Sequence, residues 1–179
     1  MTNDKFILDA CCGPRMFWFN KHHPNALYID NRKEEKGFID NRKNTEIQPD
    51  FLMDFRKLEF PDKSFKLVVW DPPHIIQKET GGNFILGKVF GLLNPETWKE
   101  DLKQGFNECW RVLEDFGVLV FKWSDSSASL KEILEVIEKE PLFGQKTRSS
   151  TRHFKMGLKG TYWICFMKIP EKKSGEKLI

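Results

Sequence analysis

Long apolar runs are missing from this sequence. None approaches the ~20 residues needed to cross a bilayer, and Met1-Thr2-Asn3-Asp4-Lys5 leads straight into a strand-like segment without a signal-peptide pattern. Charge of one sign is also scarce, since 29 basic against 26 acidic residues leave a net charge of +3. No global field compels a polyanionic partner, and any nucleic-acid contact must come from a local patch. The four cysteines, at 11, 12, 109 and 165, form no C-x-x-C pair, and no histidine spacing closes a tetrahedral zinc site. No metal is therefore expected, and reduced thiols fit a cytoplasmic protein, neither secreted nor inserted in a membrane. No internal repeat is visible.

Apolar and aromatic residues are plentiful: 40% of the 179 residues are hydrophobic and 13% aromatic. That is enough for one well-buried core and too short a chain for two ordinary domains. A single domain over residues 1–170 is expected, followed by a charged, disordered tail over 171–179.

Short apolar runs alternate with longer helix-patterned stretches, the reading of a parallel sheet with crossover helices. Strands are predicted at Lys5–Asp9, Ala26–Asp30, weakly at Asp50–Met53, and at Leu67–Trp70, where β-branched residues crowd the run and Asp71-Pro72-Pro73 stops it. Asn94-Pro95 signals a helix start, and Trp98, Leu102, Phe106, Cys109 and Leu113 line one helical face. A fifth strand spans Phe116–Phe121. An amphipathic helix through Leu130, Ile133, Leu134 and Ile137 follows, with Ser129 and Glu132 placed for a capping box and Pro141 as its stop. The last strand, Tyr162–Met167, is expected to pair antiparallel with a weaker one near Leu142–Gly144. His22-His23 is expected to decorate the end of the first crossover helix.

Two strand ends carry candidate chemistry. Asp9-Ala10-Cys11-Cys12-Gly13-Pro14-Arg15 follows the first strand, at the carboxyl edge where open α/β sheets bind ligands. Its small residues let a ligand approach the backbone. Asp30 ends the next strand 21 residues after Asp9, close to the ~20-residue offset at which an acid meets a ribose hydroxyl in dinucleotide-binding folds. The sharpest local feature is Phe65-Lys66-Leu67-Val68-Val69-Trp70-Asp71-Pro72-Pro73-His74, a buried strand ending in a rigid acid-Pro-Pro corner.

In the loop and this corner the chain resembles the Rossmann-like S-adenosylmethionine-dependent methyltransferases, in particular the amino-methylating group with an Asp/Asn/Ser-Pro-Pro-aromatic motif. Small phage and bacterial DNA methylases look similar. The resemblance implies a three-layer α/β fold with a mostly parallel sheet and one antiparallel strand at the C-terminal end. It implies S-adenosylmethionine as cofactor, with Asp9 and Gly13 near its methionine end, Asp30 on the ribose and Asp54 near the adenine, and with Ala10, Cys11, Cys12, Asn31, Phe55 and Asp71 also among the residues that bind it. It makes Asp71, Pro72, Pro73 and His74 the catalytic corner. Two positions depart from the pattern: Arg15 stands where the group usually has a glycine, and His74 where it has an aromatic.

The chemistry asks for such a corner because an exocyclic amine is a poor nucleophile, its lone pair being delocalised into the ring. Hydrogen bonds to the Asp71 carboxylate and the Pro72 carbonyl favour a pyramidal nitrogen. His74 is expected to stack on the target base. Methyl transfer to an amino nitrogen of a nucleic-acid base follows as the expected function, with DNA adenine N6 first. An RNA base, a protein glutamine, or a non-catalytic binding module remain open as alternatives.

Substrate contacts are expected from Lys122 and Trp123 beyond the fifth strand, with core packing as the other reading of Trp123, and from a basic stretch, Lys146 to Lys159, that holds Arg148, Arg152 and Lys155 without a single acid. Nucleic acid is the expected partner, DNA before RNA. The segment from Ile75 to Gly91, with four glycines among apolar residues, suits either a lid that brings Phe84 and Phe90 over the substrate or a solvent loop with a short helix.

Overall fold

The computed structural model describes residues 5–40, 42–77, 85–148 and 160–170. In chain order they form β1 (Ile7–Asp9), β2 (Ala26–Asp30), β3 (Phe51–Leu52), β4 (Phe65–Trp70), α1 (Ile85–Phe90), α2 (Trp98–Val112), β5 (Leu113–Ser124), α3 (Leu130–Ile137), β6 (Phe143–Arg148) and β7 (Gly160–Met167).

The strands build one seven-stranded sheet in the order β3-β2-β1-β4-β5-β7-β6. All neighbours run parallel except β7, which is antiparallel to both β5 and β6. The expected α/β class, with one reversed strand near the C-terminal end, is what the chain adopts. Because β2 and β3 extend to one side of β1 and β4 and β5 to the other, the strand order reverses between β1 and β4. At such a switch point the carboxyl ends of the strands leave a crevice.

Strand pleating sorts the side chains to two faces. One face carries Leu8, Leu27, Ile29, Val68, Trp70, Leu119, Phe121, Trp123, Ile164 and Phe166, packed with Leu102, Phe106, Cys109 and Val112 of α2 and Ile133 and Ile137 of α3 into the main core. Gly105 on α2 is required here by close approach, since a Cβ would overlap the Phe55 ring and crowd Trp70. The other face holds a small cluster of Cys12, Ala26 and Tyr28 with Ile7 and Trp18.

The expectation of crossover helices throughout fails in the first half. Among the described residues no helix lies between β1 and β2, β2 and β3, or β3 and β4. These connections carry Pro14, Pro24, Pro49 and Pro61, and proline interrupts helical hydrogen bonding. The outer layer on the smaller cluster's side is therefore turns, not the helix that His22-His23 was expected to end. Other boundaries also moved. Asn94 caps a turn, its Oδ1 accepting the Glu96 N–H at 2.9 Å, and α2 begins only at Trp98. β5 runs on to Ser124, and α3 stops at a left-handed Glu138 before Pro141 is reached. The Ser129–Glu132 capping box is present with both of its hydrogen bonds. Among the described residues no helix is long and apolar enough to cross a membrane.

Candidate active site

The loop after β1 is held from behind by the two strand-terminal acids. Asp9, fully buried, accepts Trp18 Nε1–H at 2.7 Å and the Cys11 N–H at 3.3 Å. Asp30, also buried, accepts the Gly13 N–H at 2.9 Å, the Arg32 N–H at 3.0 Å and the Arg32 Nε–H at 3.1 Å. Gly13 adopts φ +45° with open space where a Cβ would stand, so a ligand can approach the backbone there.

Arg15 also has a positive φ, 53°, the conformation glycine tolerates best, which accounts for glycine being usual at this position. Its side chain supplies the compensation. The buried guanidinium lies 3.7 Å from the centre of the Tyr28 ring and donates to the Lys21 and Gln48 carbonyls, each at 2.6 Å. Arg15 does not line the cavity described below; it pins the helix-free crossover to the sheet edge.

At the switch point, register brings the acid-Pro-Pro corner together with β5. Trp70 pairs with Phe121, so the residues that follow on the two strands lie side by side, and Lys122 Nζ meets Asp71 Oδ2 at 2.6 Å. His74 Nε2 sits 2.9 Å from Asp71 Oδ1, yet that oxygen receives no well-directed hydrogen bond and His74 Nδ1 is buried without a partner. The His74 ring stands edge-on to Trp123, and its carbonyl accepts Ser126 Oγ–H at 3.0 Å. This tethers the corner to the turn after β5.

A cavity of about 320 Å³ opens here, within the size range of small-ligand sites. Its wall is the backbone loop Cys11–Pro14 with Met16 and Phe17. Asp71, Pro72 and His74 form the corner, Lys122 and Arg32 supply cations, and Phe90 of α1 closes over it. Arg32 ties α1 down as well, donating to the Lys88 and Val89 carbonyls at 3.2 and 3.4 Å.

Burial dominates the electrostatics. It raises the Asp9 carboxyl to about 7, against the Trp18 and Cys11 hydrogen bonds and with help from the charges of Asp71 and Asp30. Burial also pushes Asp71 upward, but the adjoining His74 and Lys122 outweigh it and hold this carboxyl below its ordinary value. Two neighbouring acids are thus driven apart, one toward the neutral form and one toward the charged form. Burial raises the Cys11 and Cys12 thiols, which keeps them protonated and unreactive.

The cavity brings together Cys11, Cys12, Gly13, Asp71, Pro72, His74 and Lys122 of the expected residues. Asp9, Ala10 and Asp30 stand behind its wall. Other expected residues do not line the cavity either. Asp54 is engaged by Arg56, with Nη2 at 2.6 Å, and Phe55 packs edge-on against Trp70 in the main core, so neither lines the cavity. Trp123 is fully buried with its indole N–H on the Ala128 carbonyl at 3.0 Å, in keeping with its core reading. Pro73 packs beside Gly91 and is not part of the lining. Asn31 is exposed, and Arg148 ends edge strand β6. Arg152, Lys155 and Phe84 lie outside the described residues. Sequence reasoning missed Arg32, Met16 and Phe17. Arg32 had a usable signal, since a cation two residues after a strand-terminal acid is placed to fold back on it.

No family model and no curated protein matches the chain. Solved structures do. A S-adenosylmethionine-dependent methyltransferase from Methanosarcina mazei superposes with a TM-score of 0.57 at 14% identity, over 96% of this chain and 95% of that one. The N-methyltransferase NodS from Bradyrhizobium japonicum gives 0.55 at 11% identity, over 93% and 86%. Geranyl diphosphate C-methyltransferase from Streptomyces coelicolor, in complex with Mg2+, geranyl diphosphate and S-adenosyl-L-homocysteine, gives 0.53 at 11%, over 93% and 71%. The fold is thus the Rossmann-like fold of S-adenosylmethionine-dependent methyltransferases. It serves both nitrogen and carbon acceptors, so the acceptor must be argued from the site.

Proposed function

We propose that the protein is a S-adenosylmethionine-dependent methyltransferase acting on an exocyclic amino nitrogen of a nucleic-acid base, with adenine N6 of DNA as the first acceptor. The observation that carries this reading is the Asp71 carboxylate. It is held in the charged form by His74 and Lys122 and sits at the switch point on the cavity wall, next to Pro72. An amine entering the cavity meets a carboxylate that can accept its N–H.

The residues fit the donor. The wall Cys11–Pro14 offers backbone that an extended ligand can lie against, open at Gly13. Asp30 is placed for hydroxyl groups once Arg32 yields its oxygens. Asp9 supports the methionine end from behind the loop. Bound there, S-adenosylmethionine supplies a methyl group on a sulfonium, whose S–C bond breaks toward sulfur as the C–N bond forms.

Asp71 and the Pro72 carbonyl orient the amine and localise its lone pair, which is positioning plus electrostatics and needs no strong base. The alkylated nitrogen is a strong acid while its lone pair is still withheld from the ring. Asp71 therefore accepts its proton despite a lowered pKa and passes it to solvent. Phe17 and Phe90 supply apolar walls for a flat ring, and a base in a duplex must be flipped out to reach so enclosed a corner.

The test is transfer of labelled methyl from S-adenosylmethionine to DNA, RNA and protein. Asp71→Ala is expected to lower transfer by about 10²- to 10³-fold, the scale for removing one preorganised polar group, with donor binding retained. Bound donor with no transfer to any acceptor would leave the non-catalytic reading in its place.

A further inference from the structure

Resting on that reading of Asp71, we propose that Lys122 and Asp71 together read the acceptor: the site selects an amino group whose carbon also bears a lone-pair nitrogen or oxygen. A carboxylate only accepts hydrogen bonds and an ammonium only donates them. Here the two sit 2.6 Å apart, Asp71 Oδ2 to Lys122 Nζ, both on the cavity wall. The pair presents an acceptor beside a donor. An amino nitrogen and a ring nitrogen on the same trigonal carbon are about 2.3 Å apart, from two C–N bonds of ~1.33 Å. They present the complementary order, donor beside acceptor, at nearly the same spacing.

The surroundings hold Lys122 to this task. Its ammonium lies beside the edge-packed rings of Phe17 and Trp163, 6.0 and 5.8 Å from their centres. It spends one N–H on Asp71 and has two more. Both side chains are largely withdrawn from water, at 24% and 15% exposure, so an acceptor lacking the lone pair leaves an ammonium short of a partner in a poorly solvated place. That penalty is what makes polar sites discriminating. The class selected includes amino-bearing nucleobases and primary carboxamides and rejects alkylamines. Lys122 is thus a specificity-determining residue and not a general phosphate contact.

The experiment separates this from the underlying reading by measuring binding and transfer in parallel. Protein saturated with S-adenosylhomocysteine is titrated by calorimetry or ligand-observed NMR with adenosine, 1-deazaadenosine, 7-deazaadenosine, cytidine and 3-deazacytidine. Wild type, Lys122→Met and Lys122→Gln are compared, and methyl transfer to the same nucleosides is followed separately. In wild type, replacing the ring nitrogen beside the amine by C–H is expected to weaken binding about tenfold or more, the scale of a hydrogen bond to a charged group, while 7-deazaadenosine binds like adenosine. Lys122→Met is expected to shrink the discrimination to within about twofold, and Lys122→Gln, which keeps an N–H donor, to restore part of it. Equal discrimination in wild type and Lys122→Met, or a loss on 7-deazaadenosine instead, overturns the inference and leaves the methyltransferase reading standing. Absence of nucleoside binding in wild type, together with absence of transfer, overturns both.

Discussion

On the side of the sheet built from β4, β5 and β7, aromatic rings do the joining. Trp70 stacks on Phe121 at 5.1 Å, Phe106 meets Phe166 edge-on at 5.2 Å, and α2 and α3 cover them. On the side built from β1, β2 and β3, where no crossover helix is described, buried polar pins replace that layer. Arg15 clamps the Lys21 and Gln48 carbonyls, Asp9 holds Trp18, and Asp30 holds Gly13 and Arg32. A helix satisfies its own backbone groups and needs only an apolar face to dock, whereas an irregular crossover leaves backbone carbonyls that some side chain must reach. The half without helices therefore depends on charged groups in its interior, and the half with them on apolar contact. The candidate site lies on the seam.

Phe106→Ala should have the largest effect on stability, a loss of about 3–5 kcal/mol in urea unfolding, because it opens a cavity in the ring-packed half. A loss under about 1 kcal/mol would show that α2 docks without it and would weaken the contrast at its apolar end.

Asp9 tests the polar half through pH. Its folded carboxyl is raised to about 7, so between about pH 4, where the unfolded group titrates, and about pH 7 the folded state binds the extra proton. Its contribution is fully present below that window and is lost as pH rises through it, by up to about 4 kcal/mol. Asp71 and Asp54, held below their ordinary values, act in the opposite direction: what they contribute is lost as pH falls below about 4. Thermal melts from pH 4 to 7.5 should show Asp9→Asn flattening the slope, and an unchanged slope would remove this residue from the account.

Arg15→Met keeps the side chain's length and removes the guanidinium, stranding two carbonyls. It should cost about 3 kcal/mol, the scale for breaking a buried charged contact. Under the comparison drawn above, Arg15→Met should also unfold or expose residues 11–25 before the α2 region, as read by hydrogen exchange. Simultaneous loss of both would mean that the two halves are one cooperative unit.

The smallest expected effect sharpens the seam itself. Arg32 occupies Asp30 and the α1 carbonyls at once. Arg32→Ala should free Asp30 and tighten S-adenosylmethionine binding by about twofold to fivefold, the scale of a partly exposed ion pair. Calorimetry showing weaker binding would make Arg32 a direct contact of the donor instead.

Local pattern was enough for the strands, the capping box at Ser129, the buried face of α2 and the acid-Pro-Pro corner, because each depends on residues within a few positions of one another: pleat alternation, a reciprocal cap, a proline-fixed turn. It also placed the loop Asp9–Arg15 at the carboxyl edge of the sheet. Several outcomes depended instead on which segments meet in space. Asp54, two residues beyond β3, is engaged by Arg56, which also reaches Asp101, and does not line the cavity. Trp123 turns into the core. Arg15, a departure from the glycine expected in the loop after β1, stays off the cavity and holds a crossover that sequence periodicity had read as helix. Lys122 and Asp71 are 51 residues apart in the chain and become partners only because β4 and β5 pair in one register. Hydrogen-bond and charge satisfaction are long-range demands, and where a buried polar group finds its partner is decided by the tertiary structure alone.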